Sequence, residues 1–277
     1  MPEIPKKLHH YTSVEALKSI LTYQTIRFSP LSKVDDLQEE KARDAVALGK
    51  RVLVSSWCAD EHESLPMWDR YAGLCTGVRI SLPAKPFKKY HYTARDMEKY
   101  PYVVNISADF AWDTHIPIED ILAPNYVIAP YNWNSNILCS VIYTDDEEYL
   151  YPKLIARENG YTDVAFSKLG KYKHTRWQYQ NEWRYILIVY PYSMREMQLN
   201  VNNTQQTWRM ANIMLNGTDV PGFEYYDMAI DPTCFSKMEI ALGAKMPAHE
   251  KQELIEFIKE KNPSAKITDS EFTYTLR

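Results

Sequence analysis

Apolar residues repeat with two different periods along the chain, one typical of strands and one typical of helices. Residues 7–12 (KLHHYT) have the pattern of a short strand, and residues 51–57 (RVLVSSW) form a second strand rich in β-branched side chains. Between them, residues 14–21 place apolar side chains on one stripe at helical spacing. The chain is therefore predicted to open with a strand followed directly by an amphipathic helix.

The ends of the predicted helices follow from local sequence. Thr12 lies three residues before Glu15, which is the spacing of a capping box, so Thr12 is the predicted cap of the first helix. A second amphipathic helix is predicted over residues 36–49. It is expected to end at Gly49, because glycine is a good stop residue. A third helix is predicted over residues 247–261, where apolar side chains again form one stripe.

The other apolar runs have the length and composition of strands. They cover residues 24–29, 77–83, 137–143, 183–190 and 238–242. Helices alternate with strands early in the chain, and strands dominate later. This order predicts an α+β fold with mixed, mainly antiparallel sheets and flanking helices.

Residues 84–135 are the least regular part of the chain. They are rich in Pro, Tyr and Asn and contain only short pieces that resemble strands. We interpret them as an irregular insertion or a subdomain rather than a linker. No composition shift marks a boundary, so residues 1–277 are predicted to form a single α+β domain.

The charge balance argues against a general affinity for nucleic-acid backbones, because the formal net charge is -4. One local exception is a basic stretch at residues 168–176, which contains Lys168, Lys171, Lys173, His174 and Arg176. It is either a solvated basic loop or a segment that holds phosphate.

The chain has the sequence features of a cytoplasmic protein without a membrane partner. Its first ten residues lack the apolar core of a signal peptide, and its longest apolar run is far shorter than a membrane span. The four cysteines are scattered and form no C-x-x-C pair, so free thiols in a reducing compartment are expected. No spacing of His, Cys and carboxylate residues suggests a metal site.

Four short motifs contain the residue types that ligand sites use. They are His9-His10-Tyr11-Thr12-Ser13, Arg27-Phe28-Ser29, Ser64-Leu65-Pro66-Met67-Trp68-x-x-Tyr71-Ala72 and Trp177-x-Tyr179-Gln180-x-Glu182-Trp183-Arg184. The first motif ends a predicted strand and opens a helix, where an imidazole, hydroxyls and free helix N–H groups meet.

In this order the motifs resemble an uncharacterised bacterial family, a domain of unknown function. Its members share an opening HYTS, a central SLPMWxxYA and a late W-x-Y-x-x-EWR, and the resemblance spans about residues 8 to 190 with a weaker echo at 240–243. The chain departs from the family at Val34-Asp35-Asp36, where members carry Asn-Asp-Pro. That departure leaves the loop without an assigned role.

A looser resemblance concerns function. A strand with His and Thr leading into a helix, then a helix with Tyr, then a strand with Glu is similar to the His-Tyr-Glu plan of NAD-dependent ADP-ribosyltransferases. The resemblance implies their fold, and it places His10 and Thr12 in the first motif, Tyr71 in the second and Glu182 in the third. Tyr11 stands where many such enzymes carry Gly, which would crowd a ligand there.

The resemblance implies NAD as the substrate, no metal, and transfer of ADP-ribose to a macromolecular acceptor or to water. Glu182 would stabilise the positive charge that develops on the ribose when nicotinamide leaves, and Tyr71 would stack on nicotinamide. His10 would hydrogen-bond a ribose hydroxyl, Thr12 and Ser29 would also bind the cofactor, and Arg27 or Arg184 would pair with its pyrophosphate.

Each of these residues also has a purely structural interpretation. His10 could be a buried, hydrogen-bonded core histidine, and Tyr71 could pack beside Trp68. Glu182 could pair with Arg184, because side chains two apart on a strand share a face, and an exposed pair would contribute little stability. The competing functions are a nucleotide-binding module without catalysis and a nucleic-acid-processing protein built on residues 168–176.

Overall fold

The fold is known from a computed structural model of the chain. The structure describes residues 2–45, 48–100, 107–131, 137–158, 161–196, 212, 223–273 and 275. All structural statements refer to these residues.

The regular elements are short and follow one another closely. The strands are β1 Lys7–Thr12, β2 Thr25–Pro30, β3 Val52–Cys58, β4 Val78–Pro83, β5 Tyr90–Thr93, β6 Ala111–Thr114, β7 Val127–Pro130, β8 Leu138–Ser140, β9 Ile142–Thr144, β10 Ile155–Glu158, β11 Tyr161–Val164, β12 Tyr172–His174, β13 Glu182–Tyr190, β14 Tyr226–Ala229, β15 Glu239–Leu242 and β16 Lys266–Asp269. The α-helices are α1 Val14–Tyr23, α2 Leu65–Tyr71, α3 Ala94–Met97, α4 Ile118–Ile121, α5 Glu147–Leu150, α6 Pro232–Ser236 and α7 Ala248–Lys261. Short 3₁₀ helices cover Leu31–Lys33, Leu48–Arg51, Phe166–Lys168 and Thr175–Gln180.

Most strands of the described residues belong to one large sheet. Its main path runs β14-β2-β3-β1-β4-β15-β16, and β13 joins β3, β7 and β8 to it. Its pairs are antiparallel except β15 with β16, and a separate small sheet pairs β9 with β12 in parallel. The predicted α+β class with a mixed, mainly antiparallel sheet is therefore confirmed.

The long strand β13 separates two apolar clusters because successive side chains point to opposite faces. Tyr185 and Leu187 belong to the larger cluster, which also receives the apolar sides of α1 and α7. Ile186 and Ile188 belong to the smaller cluster. Glu182 lies four residues before Ile186 on β13, so its side chain points to the same face of the sheet as the smaller cluster. It lies at the start of the strand, beyond the apolar residues.

Strands β1 and β2 share one edge of β3 but pair with different ends of it. Strand β2 pairs with β3 at Leu53 and Val54, whereas β1 pairs with it at Cys58. Over the described residues, no strand pairs with that edge at residues 55–57. The two strands therefore diverge, and helix α1, which connects them, lines the opening.

Two predicted helix features are wrong. The cap of α1 is Ser13, whose hydroxyl accepts the N–H of Ala16 at 3.2 Å, whereas Thr12 is the last residue of β1. The predicted helix over 36–49 is absent from its described part, which consists of turns and the 3₁₀ helix Leu48–Arg51.

Side chains that bond elsewhere explain the missing helix. Asp36 accepts the backbone N–H of Gln38, and Asp44 accepts the backbone N–H groups of Leu154 and Ile155. Glu39 points away from solvent into an ion cluster. Short polar side chains that bond backbone groups compete with helix formation, and the apolar stripe alone did not reveal this.

The two least regular regions differ in how far they are described. Residues 84–135 contain β5, α3, β6, α4 and β7; β5 and β6 form their own two-stranded sheet, while β7 joins β13. Residues 191–223, where Asn202, Asn203, Asn216, Gly217 and Pro221 predict turns, lie mostly outside the described residues. No helix among the described residues is long and apolar enough to cross a membrane.

The central position of β1 can be tested with a pair of leucine substitutions. Leu8 is fully buried in the larger cluster, so Leu8→Ala should lower the free energy of unfolding by about 2–5 kcal/mol. Leu37, which is 67% exposed, provides the matched control, and Leu37→Ala should have little effect. Urea denaturation measures both, and equal losses would contradict this placement of β1.

Candidate functional site

A cavity of about 510 Å³ occupies the opening between β1 and β2. Ligand pockets for small molecules usually measure about 300–1,000 Å³, so this volume suits a small molecule. The sequence-predicted site residues that line it are His10, Thr12, Arg27, Ser29, Tyr71, Glu182 and Arg184. The structure therefore brings together residues from four distant segments, while their roles stay predictions.

His10 is fixed at the open edge of β3. Its Nδ1 lies 2.8 Å from the carbonyl oxygen of Ser56, which can only accept, so Nδ1 carries the proton and Nε2 is the acceptor of the neutral ring. Burial lowers the pKa of His10, although the Ser56 carbonyl opposes the shift, and the ring is neutral near pH 7. The ring also packs against Trp57 at 5.2 Å between centroids.

The peptide of Ser56 faces the opening. N–H and C=O groups of one strand residue point to the same edge, so the N–H of Ser56 lies on the cavity side together with its carbonyl. The cavity wall thus combines a backbone donor with the acceptor nitrogen of His10.

Glu182 is an anion held between two cations. Its Oε1 accepts from Nε of Arg184 at 2.6 Å, and its Oε2 accepts from Nζ of Lys173 at 3.2 Å. Burial alone would raise the pKa of the Glu182 carboxyl, but the charges of Arg184 and Lys173 outweigh it and hold that pKa well below its usual value. Glu182 is therefore ionised throughout the physiological pH range.

Arg184 is part of a buried cluster and not a free cation. Its guanidinium donates to both oxygens of Glu39, to Glu182 and to the carbonyl of Gly170, and its side chain is 1% exposed. Two carboxylates already balance its positive charge, which disfavours the predicted pairing with a pyrophosphate, and that role stays a prediction. Its pairing with Glu182 on one strand face is confirmed, but the pair is buried rather than exposed.

Tyr71 ends α2 on the wall of the cavity. Its hydroxyl donates to Oδ2 of Asp35 and accepts from Nε2 of Gln180, each at 2.5 Å. Burial raises the pKa of Tyr71, and the hydrogen bond to Asp35 raises it further. The phenol therefore stays protonated, with its oxygen at a fixed position.

Arg27 lies at the rim and is more accessible than Arg184. It donates two hydrogen bonds of 2.9 Å to Asp227 on the neighbouring strand β14, and its guanidinium lies 3.5 Å from the ring centroid of Tyr225. Half of its side chain remains exposed. Lys33 also lines the cavity and donates to the carbonyl of Glu224 at 3.2 Å.

The two predicted hydroxyls occupy the strands that diverge. Thr12 is buried at the end of β1, directly before α1, and Ser29 is half-buried on β2 opposite Val54 of β3. Both line the cavity from opposite sides of the opening.

The basic stretch at 168–176 is not a uniformly solvated loop. Lys173 is 2% exposed and lies 3.2 Å from a Glu39 oxygen as well as near Glu182. Lys168 donates to the carbonyl of Lys153, and Lys171 lies over the ring of Tyr172. The most buried cation of the stretch thus balances internal carboxylates.

Sequence reasoning missed most partners of the predicted residues. Asp35, Glu39, Lys173, Gln180 and Ser56 all bond to His10, Tyr71, Glu182 or Arg184. Gln180 was visible in the pair Gln180-x-Glu182, and Asp35 stood in the loop that departs from the family pattern. Nothing local distinguishes Glu39 from an exposed acid in a polar segment. Among the described residues, no group of His, Cys and carboxylate side chains has the arrangement of a metal site.

The ion cluster should respond strongly to the loss of one charge. Glu39→Gln leaves Arg184 and Lys173 with fewer compensating charges, so we expect the free energy of unfolding to fall by about 3–5 kcal/mol. The exposed pair between Glu239 and Lys7 is the control, and Glu239→Gln should cost less than about 1 kcal/mol. Chemical denaturation compares the variants, and similar losses would show that the cluster is not buried.

His9 should make stability depend on pH. It lies 2.7 Å from the hydroxyl of Ser81, and burial, aided by the charge of Arg79, lowers the pKa of His9 to about 4. In the unfolded chain the His9 imidazole binds a proton near pH 6.5, about where free histidine titrates. In the folded chain it stays neutral until the pH falls to about 4. Stability should therefore fall by up to about 3 kcal/mol as the pH drops through this window.

The measurement is the free energy of unfolding against pH for the wild type and His9→Gln. The difference between the two curves isolates His9 from carboxylates that titrate in the same range. His249, whose side chain is 75% exposed, supplies the control, and His249→Gln should leave the wild-type slope unchanged. A His9→Gln curve parallel to the wild type would rule out the depressed pKa.

Comparison with known proteins finds a match to one family model over part of this site. Residues 67–185 match the family model described as "Protein of unknown function (DUF2971)", a range that contains Tyr71 and Glu182 but not His10. No curated protein and no solved structure matches the chain. The predicted resemblance to an uncharacterised family is confirmed over these residues, and the resemblance to ADP-ribosyltransferases stays a prediction.

Proposed function

We propose that the protein binds NAD in the cavity and releases nicotinamide, transferring ADP-ribose to a macromolecular acceptor or to water. The observation that carries the proposal is the shared cavity of His10, Tyr71 and Glu182, which come from β1, α2 and β13. A largely apolar pocket with a few convergent polar groups is the usual form of a small-molecule site.

Glu182 supplies the charge that this reaction requires. When the bond between the ribose C1′ and the nicotinamide nitrogen breaks, the electron pair goes to nicotinamide, which leaves neutral, and positive charge develops on the ribose. A fixed carboxylate stabilises this charge in the transition state. Arg184, Lys173 and the Ser56 hydroxyl take three of the about four acceptor sites of the Glu182 carboxylate, so one site remains for a ligand hydroxyl.

The remaining groups hold and orient the substrate. Nε2 of His10 accepts a hydrogen bond from a ribose hydroxyl, and the ring of Tyr71 offers a flat face to nicotinamide. Arg27 and Lys33 are the accessible cations that face the pyrophosphate. The nucleophile, water or an acceptor group, then adds to C1′ and loses its proton, which completes the transfer.

The free cysteines are consistent with a cytoplasmic location for this activity. Cys58, Cys75, Cys139 and Cys234 are all unpaired. Thiols of this kind are typical of a reducing compartment, where NAD is also available.

A second candidate is a nucleotide-binding module without catalysis. The two cations on Glu182 offset part of the charge that would stabilise a ribosyl cation. A cavity of this type could bind NAD tightly and still leave the glycosidic bond intact. The two functions differ in nicotinamide release and not in NAD binding.

Glu182→Gln tests the catalytic role. Because the interaction with the ribosyl cation exists mainly in the transition state, nicotinamide release should slow by about two to three orders of magnitude while NAD affinity changes little. The sequence alone suggested a partly solvated carboxylate with little effect on stability. The buried contacts with Arg184 and Lys173 reverse that expectation, and the variant should also unfold more easily.

The assay therefore needs a stability control. Nicotinamide release is measured by chromatography, with and without cell extract as acceptor, at a temperature where circular dichroism shows each variant folded. Glu182→Asp keeps the negative charge but places the carboxylate on a side chain that is one methylene shorter. Glu239→Gln controls for the loss of a carboxylate elsewhere. Unchanged turnover in folded Glu182→Gln would remove this residue from the mechanism. NAD binding without release in the wild type would favour the binding module.

A further inference from the structure

Asp35 connects two segments that form opposite parts of the cavity wall. It lies in the loop after β2, and its Oδ2 accepts from the hydroxyl of Tyr71 at 2.5 Å and from Nε of Arg70 at 2.8 Å. Arg70 and Tyr71 are the last two residues of α2, a helix of seven residues. A single carboxylate therefore holds the end of this short helix from outside it.

The hydrogen bonds around Tyr71 can run in only one direction. Lys173 has donors alone, so it must donate to Oε1 of Gln180, at 2.8 Å. Nε2 of Gln180 then donates to the Tyr71 oxygen, and the Tyr71 proton is left to Asp35. Gln180 is 3% exposed, so water hardly competes for the hydrogen bonds that hold its amide in this orientation.

This chain of bonds links Asp35 to the carboxylate that the proposed reaction uses. Its inner member is Lys173, which also donates to Glu182 at 3.2 Å. Its outer member is Asp35, whose side chain is 26% exposed and whose Oδ1 also lies 3.8 Å from Nζ of Lys173. The Tyr71 hydroxyl is the junction, held from both sides by 2.5 Å bonds. A ring fixed at its hydroxyl end cannot swing away from the cavity.

We propose that Asp35 is a positioning residue, which fixes the ring of Tyr71 in the orientation that a bound ligand requires. The ligand part of this proposal rests on the proposed function, since NAD is the molecule expected over Tyr71. The fixing of Tyr71 itself is a property of the free protein. The two parts can therefore be tested separately.

In the free protein the probe is fluorine NMR on protein labelled with 3-fluorotyrosine. The Tyr71 resonance is identified by its absence from Tyr71→Phe. Asp35→Ala should shift and broaden it, because the ring loses its outer anchor, whereas Asp35→Asn keeps an acceptor oxygen and should largely restore it. Asp69, exposed on the same helix, gives the control Asp69→Ala, which should leave the resonance in place. An unmoved resonance in Asp35→Ala would overturn the proposal.

With NAD, the measurement is nicotinamide release by Asp35→Ala, Tyr71→Phe and the double variant. Misplacement of a binding group by about 1 Å can cost about a hundredfold in rate, so each single variant should lose about ten- to a hundredfold in kcat/KM. If Asp35 acts through the Tyr71 hydroxyl, the double variant should be no worse than the poorer single variant. Losses that multiply would show that Asp35 acts independently and would overturn the positioning role.

The two measurements also separate this proposal from the proposed function. A wild type that neither binds NAD nor releases nicotinamide would refute the function, and the fluorine resonance would still decide whether Asp35 holds Tyr71. Activity in the wild type together with an unmoved resonance would refute the positioning role and leave the function standing.

Discussion

The site depends on one energetic constraint, the burial of two carboxylates and two cations at the end of β13. Glu39, Glu182, Lys173 and Arg184 all have side chains no more than 5% exposed. Removing single charges from water costs several kcal/mol each, so such a group persists only when every charge is paired and hydrogen-bonded. Here the pairing draws together the loop after β2, strand β12 and strand β13. The same contacts that make burial tolerable also fix Glu182 at the cavity wall.

The opening beside this cluster follows from how the sheet is assembled. Strand β3 is fully paired with β13 on one side, but its other side is shared by β1 and β2, which meet it only at its ends. The opening leaves the peptide of Ser56 and the ring of His10 facing the cavity. Beside Ser56, the Nε2 of His10 and the Glu182 carboxylate are acceptors, whereas Arg27 and Lys33 elsewhere on the wall are donors. A ligand with both hydroxyl groups and an anionic group complements such a wall.

The strands with long apolar runs were predictable from sequence because their patterns are local, although the run at 137–143 forms two strands, β8 and β9, and β10, β11, β12 and β14 were not predicted. The strand at 7–12, the strand at 183–190 and the C-terminal helix all appear within a residue or two of their expected limits. The segment 36–49 was not predictable, since its acidic residues bond to backbone groups and cations that are distant in sequence. The candidate site was likewise only partly predictable from sequence. Motif residues could be selected, but the pairing of Arg184 with Glu39, 145 residues away, leaves no trace in the local pattern.

The pairing of β13 has a practical consequence for anyone who expresses the family region alone. Residues 67–185 contain β4 and the start of β13, but their partners β1 and β3 lie before residue 67. A fragment with those limits would expose strand edges that have lost their partners, and such edges template association between chains. It would also lack Glu39, so Arg184 would be buried or exposed without its bidentate partner. Insolubility of that fragment would therefore reflect its limits and not an intrinsic instability of the fold.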